Sequence, residues 1–319
     1  MDSNSEKDRK IVHLIWSFGH GGIQVMITDL VNQQVRDHRV HLVIINRDPL
    51  DKLLGMLDKR VKVHRLERTK GNFTPLRYLW LNLLVHTIRP HVIHCHIPNQ
   101  ARLLFFVRRK KLHLTLHDVN KDLKDVRRYA KIYSISRSVQ QDLLERAGLE
   151  SRVIYNGIAL EGIRVKSQQD QQDQQDQQEE FRIVVLGRLM HEKKGQDLFI
   201  RALSHLVHKQ GVKGLHGTII GDGKSRQYLE NLAKDLELGG VLNFAGAKDR
   251  AYILEHLRDF DLLIQPSRYE GFGITVIEGM AAGVPVLVSD IDGPMEIIRE
   301  GKYGSYFTSE EAIDCAQKI

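Results

Sequence analysis

Short apolar segments alternate with longer amphipathic segments along most of this chain. Candidate helices include GGIQVMITDLVNQQ, PLRYLWLNLLVHTI, GQDLFIRALSHLVHK and KSRQYLENLAKDL. The candidate strands are KIVHLIW, RVHLVIIN, HVIHCH, KLHLTLH, FRIVVLG, LHGTIIG, VLNFAG, FDLLIQPS and VPVLVSD. Strands rich in Val, Ile and Leu, separated by helices, are typical of parallel sheets covered on both faces. The pattern therefore predicts an α/β fold.

A low-complexity tract, SQQDQQDQQDQQEE at residues 167–180, interrupts this alternation. It contains no apolar residue, so it cannot bury surface to offset the entropy of ordering, and we interpret it as a linker. We predict one Rossmann-like domain at residues 1–166 and a second at 181–319, facing each other across a cleft. Ligands of such sheets bind beyond the carboxyl ends of the strands.

Charge is distributed unevenly between the two predicted domains. The whole chain carries a net charge of +7, made up of +14 in residues 1–166 and −7 in the remainder. A basic first half suggests an anionic partner. No basic motif interleaved with aromatic residues is present, so we favour an anionic membrane surface over nucleic acid. The candidate segments are Val107–Lys111 (VRRKK) and Lys121–Lys131 (KDLKDVRRYAK).

Cysteine content and the apolar runs indicate the compartment. The two cysteines, Cys95 and Cys315, provide no disulfide framework, which favours a reducing environment. The polar N-terminus lacks the apolar core of a secretory signal, and no apolar run is long enough to span a bilayer. We expect a cytoplasmic protein that contacts the inner face of the membrane peripherally.

The segment PSRYEGFGITVIEGMAAGVPVLVSD places two glutamates, Glu270 and Glu278, on either side of a glycine-rich turn. Glu270 follows a predicted strand, whereas Glu278 falls inside an apolar helix, where a carboxylate needs hydrogen-bond donors. Ribose hydroxyls are suitable donors. Backbone amides at the helix start can bind sugar or phosphate oxygens. The candidate binding residues of this turn are Gly271, Phe272, Gly273 and Ile274.

Two other loops follow predicted strands. In RLMHEKKGQD, Arg188 provides a guanidinium fork and Lys193 and Lys194 provide point charges, a combination suited to binding a diphosphate. An ordinary solvated basic loop would have the same composition. In SFGHGGIQVM, Gly21 and Gly22 precede a helix whose free amides form an anion site, a weak signal because any tight turn also uses glycine.

Histidines raise the question of a metal. His94 and His96 share one face of a strand, but zinc sites use at least three protein ligands, so we predict no metal. His117, in TLHD, lies at a strand end, and without further context a hydrogen-bonded structural histidine is the simpler interpretation.

Together these motifs resemble family four of the GT-B glycosyltransferases, the E-x7-E group, over nearly the whole chain. The matching segments are GGIQ, TLHD, GRLMHEKKG, IIGDGKSRQYLENLA, VLNFAGA, PSRYEGFGITVIEGMAAGVPVLVSD and GPMEII. The resemblance implies a GT-B fold and sugar transfer with retention of anomeric configuration, without a metal or another cofactor. It also implies that C-terminal helices normally present in the family are missing after SEEAIDCAQKI, so that the fold is truncated there.

The resemblance also assigns roles to the candidate residues. Arg188 and a lysine, Lys193 or Lys194, neutralise the donor diphosphate, and Glu278 binds the ribose. Glu270 and the neighbouring amides hold the transferred sugar, while His117 binds its other face. Gly246, in VLNFAGA, is implied to bind substrate. The donor is a UDP- or GDP-linked sugar.

The expected function is transfer of a sugar to a lipid-linked or polysaccharide acceptor in bacterial surface glycan synthesis. A non-catalytic glycosyltransferase-like subunit and a sugar-nucleotide epimerase of the same fold are the alternatives. Hydrolysis of nucleotide sugars distinguishes an enzyme from a non-catalytic subunit.

Overall fold

A computed structural model describes residues 8–19, 22–47, 52–69, 75–167 and 180–319. The chain forms two compact units, Met1–Gly157 and Ile158–Ile319. Each unit contains one parallel sheet with helices, as predicted. No helix among the described residues has the length and apolar character needed to cross a membrane.

The first unit contains a seven-stranded parallel sheet in the order β3-β2-β1-β4-β5-β6-β7. Its strands are β1 (Lys10–Ile15), β2 (Arg39–Asn46), β3 (Lys62–Arg68), β4 (Val92–Cys95), β5 (Leu112–Leu116), β6 (Lys131–Ser134) and β7 (Arg152–Val153). Its α-helices are α1 (Gly22–Gln34), α2 (Pro75–Ile88) and α3 (Arg137–Ala147). Short 3-10 helices occupy Lys52–Met56, Pro98–Leu103, Arg109–Lys111 and Val126–Arg128.

The second unit contains a six-stranded parallel sheet in the order β10-β9-β8-β11-β12-β13. Its strands are β8 (Phe181–Leu186), β9 (Leu215–Ile220), β10 (Leu242–Gly246), β11 (Leu262–Gln265), β12 (Val286–Ser289) and β13 (Ser305–Phe307). The α-helices are α4 (His191–Lys194), α5 (Gln196–Ser204), α6 (Arg226–Asp235), α7 (Arg250–His256), α8 (Ile274–Ala281), α9 (Asp292–Ile298) and α10 (Ala312–Lys318). A π-helix at His205–Lys209 extends α5, and a 3-10 helix spans Leu257–Asp259.

Side chains of β8 show that both faces of the second sheet are buried. Ile183 and Val185 belong to one apolar cluster with Phe199, whereas Val184 belongs to another with Val276. Successive side chains of a strand point to opposite faces, so helices must cover both. This double burial is the reason that the strands are continuously apolar in sequence.

Strand order defines one topological switch point in each sheet. In the first sheet the order reverses between β1 and β4, which pair in parallel, and in the second it reverses between β8 and β11. Connections leave such a pair of strands in opposite directions, which opens a crevice at their carboxyl ends. The loop that follows β8 contains the basic motif predicted to bind ligand, and the loop that follows β11 contains the acidic motif.

The first unit ends at Gly157, earlier than the boundary predicted at 166. The following segment packs on the second unit: Arg164 N donates to Leu254 O, and Lys166 N donates to Ala282 O at 2.8 Å. The Lys166 ammonium, itself buried, pairs with Asp261 at 2.7 Å. Residues 168–179 of the predicted linker lie outside the described residues.

Candidate functional site

The loops after β8 and β11 are joined by an ion pair between Lys194 and Glu270, with Nζ donating to Oε2. Lys194 ends the short helix α4, and Glu270 precedes the glycine-rich turn. Both side chains are largely buried, at 25% and 14% exposed. The structure therefore brings together two of the predicted site residues that are far apart in sequence.

Gly195 permits this close approach. It ends α4 with φ of 61°, a left-handed conformation that disfavours residues with a Cβ. A Cβ at this position would lie 1.7 Å from the carbonyl oxygen of Pro266, the residue directly after β11. Any other residue here would force the two loops apart. In the Lys-Gly pair of the motif, the glycine is thus required by the packing of the two loops, and the lysine supplies the charge of the ion pair.

A second ion pair, which the sequence analysis did not identify, positions the same loop. Arg268 donates to both carboxylate oxygens of Asp197, at 2.7 and 2.9 Å, and to His191 O at 2.6 Å. Bidentate pairs of this kind are directional and strong. The hydrogen bonds to Asp197 also raise the pKa of Arg268 above its usual value. No local sequence signal links residues that are 71 positions apart.

The two other basic candidates, Arg188 and Lys193, lie between β8 and Gly195. Arg188 is exposed after the carboxyl end of β8, and its carbonyl accepts a hydrogen bond from Gln196 Nε2 at 2.9 Å. The Lys193 ammonium lies 4.9 Å from the centre of the Tyr269 ring, within range of a cation–π interaction. Lys194 contacts the acidic candidate Glu270, whereas Lys193 contacts an aromatic ring.

Glu278 lies in α8 and is buried, with 9% of its surface exposed. The helix begins after Gly273, whose φ is 114°, and a Cβ there would approach Gln265 Oε1 to 2.9 Å. The predicted helix start and the interior position of Glu278 are thus confirmed. Phe272 is buried beside this turn. Ile274 is the first residue of α8.

Three glycine candidates lie outside the glycine-rich turn: Gly21, Gly22 and Gly246. Gly246 ends β10, the outer strand of its sheet, and its carbonyl accepts from Gly221 N at 2.9 Å. It is two strands away from β8 and does not share the switch point. In the first unit, Gly22 is the first residue of α1, whereas Gly21 lies outside the described residues.

His117 follows β5 in the first unit and is buried. Its Nε2 is 2.9 Å from Nδ1 of His96, whereas its own Nδ1 has no hydrogen-bond partner among the described residues. Burial lowers the pKa of His117 to about 4, and the neighbouring Asp118 only partly offsets this effect. The ring is therefore neutral near pH 7, with one buried nitrogen available to a ligand.

The second unit thus has exposed and partly buried cations after β8 and the carboxylate of Glu270 after the adjacent strand β11, with Glu278 further along, inside α8. Cations can neutralise an anionic group such as a diphosphate, and carboxylates accept hydrogen bonds from hydroxyl groups. Glu278, buried within α8, is a further carboxylate of this unit that can accept such hydrogen bonds. This chemistry suits a ligand that carries both phosphate and sugar.

Two family models match the chain. Residues 166–319 match the model described as glycosyl transferases group 1, and residues 20–161 match the model described as glycosyltransferase family 4. An uncharacterized glycosyltransferase of Methanocaldococcus jannaschii, MJ1607, is 36% identical over 38% of this chain. The lipopolysaccharide core biosynthesis glycosyltransferase LpsE of Rhizobium meliloti is 31% identical over 38% of the chain. These matches cover 30% and 33%, respectively, of the relatives' own lengths.

Among solved structures, Anabaena HepE in complex with UDP-glucose superposes with a TM-score of 0.80 at 21% identity, covering 97% of this chain and 88% of HepE. This likeness concerns the fold, which is that of GT-B proteins. The two family matches account for nearly all of the chain, with one domain in each structural unit. The chain belongs to the family 4, or group 1, glycosyltransferases.

Proposed function

We propose that this protein transfers a sugar from a UDP- or GDP-linked donor to a lipid-linked or polysaccharide acceptor in bacterial surface glycan synthesis. The transfer retains anomeric configuration and requires no metal at the donor. The observation that carries the proposal is the Lys194–Glu270 pair, which joins the loops after β8 and β11 at a switch point. Such crevices bind nucleotides in doubly wound folds.

The proposed roles follow from charge and burial. Arg188 and Lys194 stabilise the negative charge that develops on the leaving diphosphate, and fixed cations do so without reorganisation. Glu278, buried in α8, binds the ribose hydroxyls, and Glu270 with the adjacent amides binds the transferred sugar. His117 hydrogen-bonds the sugar through Nδ1, which has no hydrogen-bond partner in the described part of the chain.

Two of the relatives support the substrate classes. HepE was solved with UDP-glucose, which supports a nucleotide-sugar donor. LpsE is named for lipopolysaccharide core biosynthesis, which supports a cell-surface glycan as the product.

Mass spectrometry of nucleotide sugars incubated with the protein tests the proposal. We expect slow hydrolysis of one UDP- or GDP-linked sugar out of a panel that includes ADP-sugars, because water replaces the acceptor. Release of free nucleotide identifies transfer chemistry. A sugar nucleotide of unchanged mass but altered retention time would instead indicate an epimerase. Tight nucleotide binding with no turnover on any donor would favour a non-catalytic subunit.

The first unit carries the surface that we propose for membrane contact. Four large apolar side chains of α2 are exposed, as are two phenylalanines that follow the next 3-10 helix: Leu76, Leu79, Trp80, Leu83, Phe105 and Phe106. Several of them line a groove of about 630 Å³ together with Arg89, Arg108 and Lys111. Apolar side chains beside basic ones match an anionic bilayer surface.

The structure favours the Val107–Lys111 segment over Lys121–Lys131 for this contact. In the latter, the buried Asp125 pairs with Arg128 at 3.2 Å and with Arg102 at 2.6 Å. Lys121 pairs with Asp118 at 2.8 Å. Two of the five basic residues of that segment, Lys121 and Arg128, are therefore already paired with carboxylates of the protein.

Binding to liposomes containing anionic lipid should depend on Arg108, Arg109 and Lys110. Replacing all three with glutamine should weaken binding roughly 100-fold at low salt, since each basic residue contributes about 1 kcal/mol. Co-sedimentation across a salt series measures this effect. Glutamine at Lys124, Arg127 and Lys131 is the matched control and should have a much smaller effect. Equal losses in both triple variants, or binding independent of lipid charge, would contradict the assignment.

A further inference from the structure

A group of buried and partly buried histidines lies beside the switch point of the first sheet. His13 of β1 and His94 of β4 are direct neighbours across the parallel pair, and His96 follows two residues after His94. Residues opposite each other, or two apart on a strand, present their side chains to one face. The sequence suggested two ligands here; the third, His13, comes from the neighbouring strand.

The ring nitrogens of this trio converge. One nitrogen from each ring lies within 4.8 Å of the others, and His13 Nδ1 is 3.1 Å from His96 Nε2. Two nitrogens that each bind zinc at about 2.0–2.1 Å in a tetrahedral site are about 3.4 Å apart. Small ring rotations would therefore be enough to place all three nitrogens around one ion.

The outward nitrogen of each ring has a polar partner. His13 Nε2 is 2.7 Å from Gln34 Oε1, His94 Nε2 is 2.7 Å from Thr115 Oγ1, and His96 Nδ1 is 2.9 Å from His117 Nε2. Metal-binding histidines characteristically engage their second nitrogen in this way, which fixes the tautomer and the ring orientation. The Gln34 oxygen accepts from His13 Nε2–H, which leaves the lone pair on the convergent Nδ1.

The three rings also differ from solvent-exposed histidines in their acidity. Burial lowers the pKa of all three imidazoles, to about 4 for His13 and well below the ordinary value for His94 and His96. The hydrogen bond between His13 Nδ1 and His96 Nε2 places a proton on one of these two nitrogens, so an ion bound by all three rings would replace this hydrogen bond. His94 is only partly buried, so the trio is not sealed from solvent on all sides.

We propose that His13, His94 and His96 form a binding site for a divalent transition metal with a preference for imidazole, Zn²⁺ in the first instance. Three neutral histidines with a fourth position left for water constitute a known zinc ligand set. The ion would link β1 to β4, and all three of its protein ligands belong to the first unit. The inference does not depend on the proposed glycosyl transfer.

Calorimetric titration of the untagged, chelator-treated full chain with Zn²⁺ tests the site. We expect one equivalent to bind and to raise the melting temperature, and Co²⁺ to bind with the visible absorption typical of low-coordinate nitrogen sites. His94→Gln should abolish the stoichiometric binding. Gln34→Met, which leaves all three ligands in place, should weaken Zn²⁺ affinity about 10–100-fold.

His64→Gln provides the matched control. His41 and His64 form a similar stacked pair on β2 and β3, with Nδ1 and Nε2 2.9 Å apart, but no third metal-binding side chain joins them among the described residues. Binding that persists in His64→Gln and disappears in His94→Gln supports the site. Absence of one-equivalent binding, binding retained in His94→Gln, or equal loss in both variants overturns it. Melting curves of the metal-free variants separate ligand loss from misfolding, and Gln34→Met remains decisive if His94→Gln does not fold.

Discussion

Replacing Arg188 with alanine should lower the turnover of the nucleotide sugar about 10²–10³-fold, the usual loss when a fixed stabiliser of developing charge is removed. The guanidinium is exposed at the carboxyl end of β8, next to the switch point, and is proposed to face the leaving diphosphate. Negative charge on that group grows towards the transition state, so kcat should fall more than acceptor affinity. Steady-state kinetics on the donor identified by mass spectrometry measure both quantities.

Parallel alanine variants of Lys193 and Lys194 separate the two lysines. We expect the larger loss of turnover from Lys194→Ala, because Lys194 contacts Glu270 whereas Lys193 lies over the Tyr269 ring. Lys224→Ala, which removes an exposed partner of Glu192, is the control for a nearby change in surface charge. Mild and equal effects from Arg188→Ala and both lysine variants would show that this loop does not bind the diphosphate.

The architecture could be predicted from the sequence because strands buried on both faces consist mainly of apolar residues. Strands covered on both faces, such as β2 and β8, are continuous apolar runs and were identified directly. The strands that were not identified are polar or very short: β3, β6, β7 and β13. β3, with the sequence KVHRLER, lies at the edge of its sheet and buries little of its surface, so it leaves no apolar run.

The candidate site was predictable where chemistry is local and unpredictable where it depends on tertiary contact. Glycines at loop ends and a carboxylate within an apolar helix are visible in a single segment. The Arg268–Asp197 pair and the third histidine of the His13 trio are not, because strand order alone brings their elements together. The segment 158–167 gave no signal of its attachment to the second unit, because backbone hydrogen bonds and the buried Lys166–Asp261 pair hold it.

Glutamine at Glu270 and at Glu278 should have different kinetic consequences. Glu278, buried in α8, is proposed to bind the ribose, which does not change during the reaction. Its interaction is then similar in the ground and transition states, so Glu278→Gln should mainly raise the donor KM. Glu270 is proposed to lie beside the sugar ring, which gains positive charge as the bond to phosphate breaks. Glu270→Gln should therefore mainly lower kcat.

The ion pair with Lys194 complicates the interpretation of Glu270, and a double-mutant cycle resolves it. If Glu270 acts only by holding Lys194 in place, the effects of Glu270→Gln and Lys194→Met on kcat should not add. A role beside the sugar predicts a further loss when Glu270 is changed in the Lys194→Met background. Glu192→Gln, on the exposed side of α4, is the matched control and should leave kcat and KM unchanged.

For Glu278 the competing explanation is a structural one, because a buried carboxylate can also brace the inside of a helix. Glu278→Gln keeps the shape of the side chain and replaces one acceptor with a donor, so a bracing role predicts a lower melting temperature with unchanged nucleotide affinity. The ribose role predicts weaker binding of the bare nucleotide, by about tenfold for the loss of one charge-assisted hydrogen bond. Calorimetry with UDP and GDP, together with thermal melting, distinguishes the two explanations. Nucleotide affinity equal to that of the unmodified protein would exclude ribose binding by Glu278.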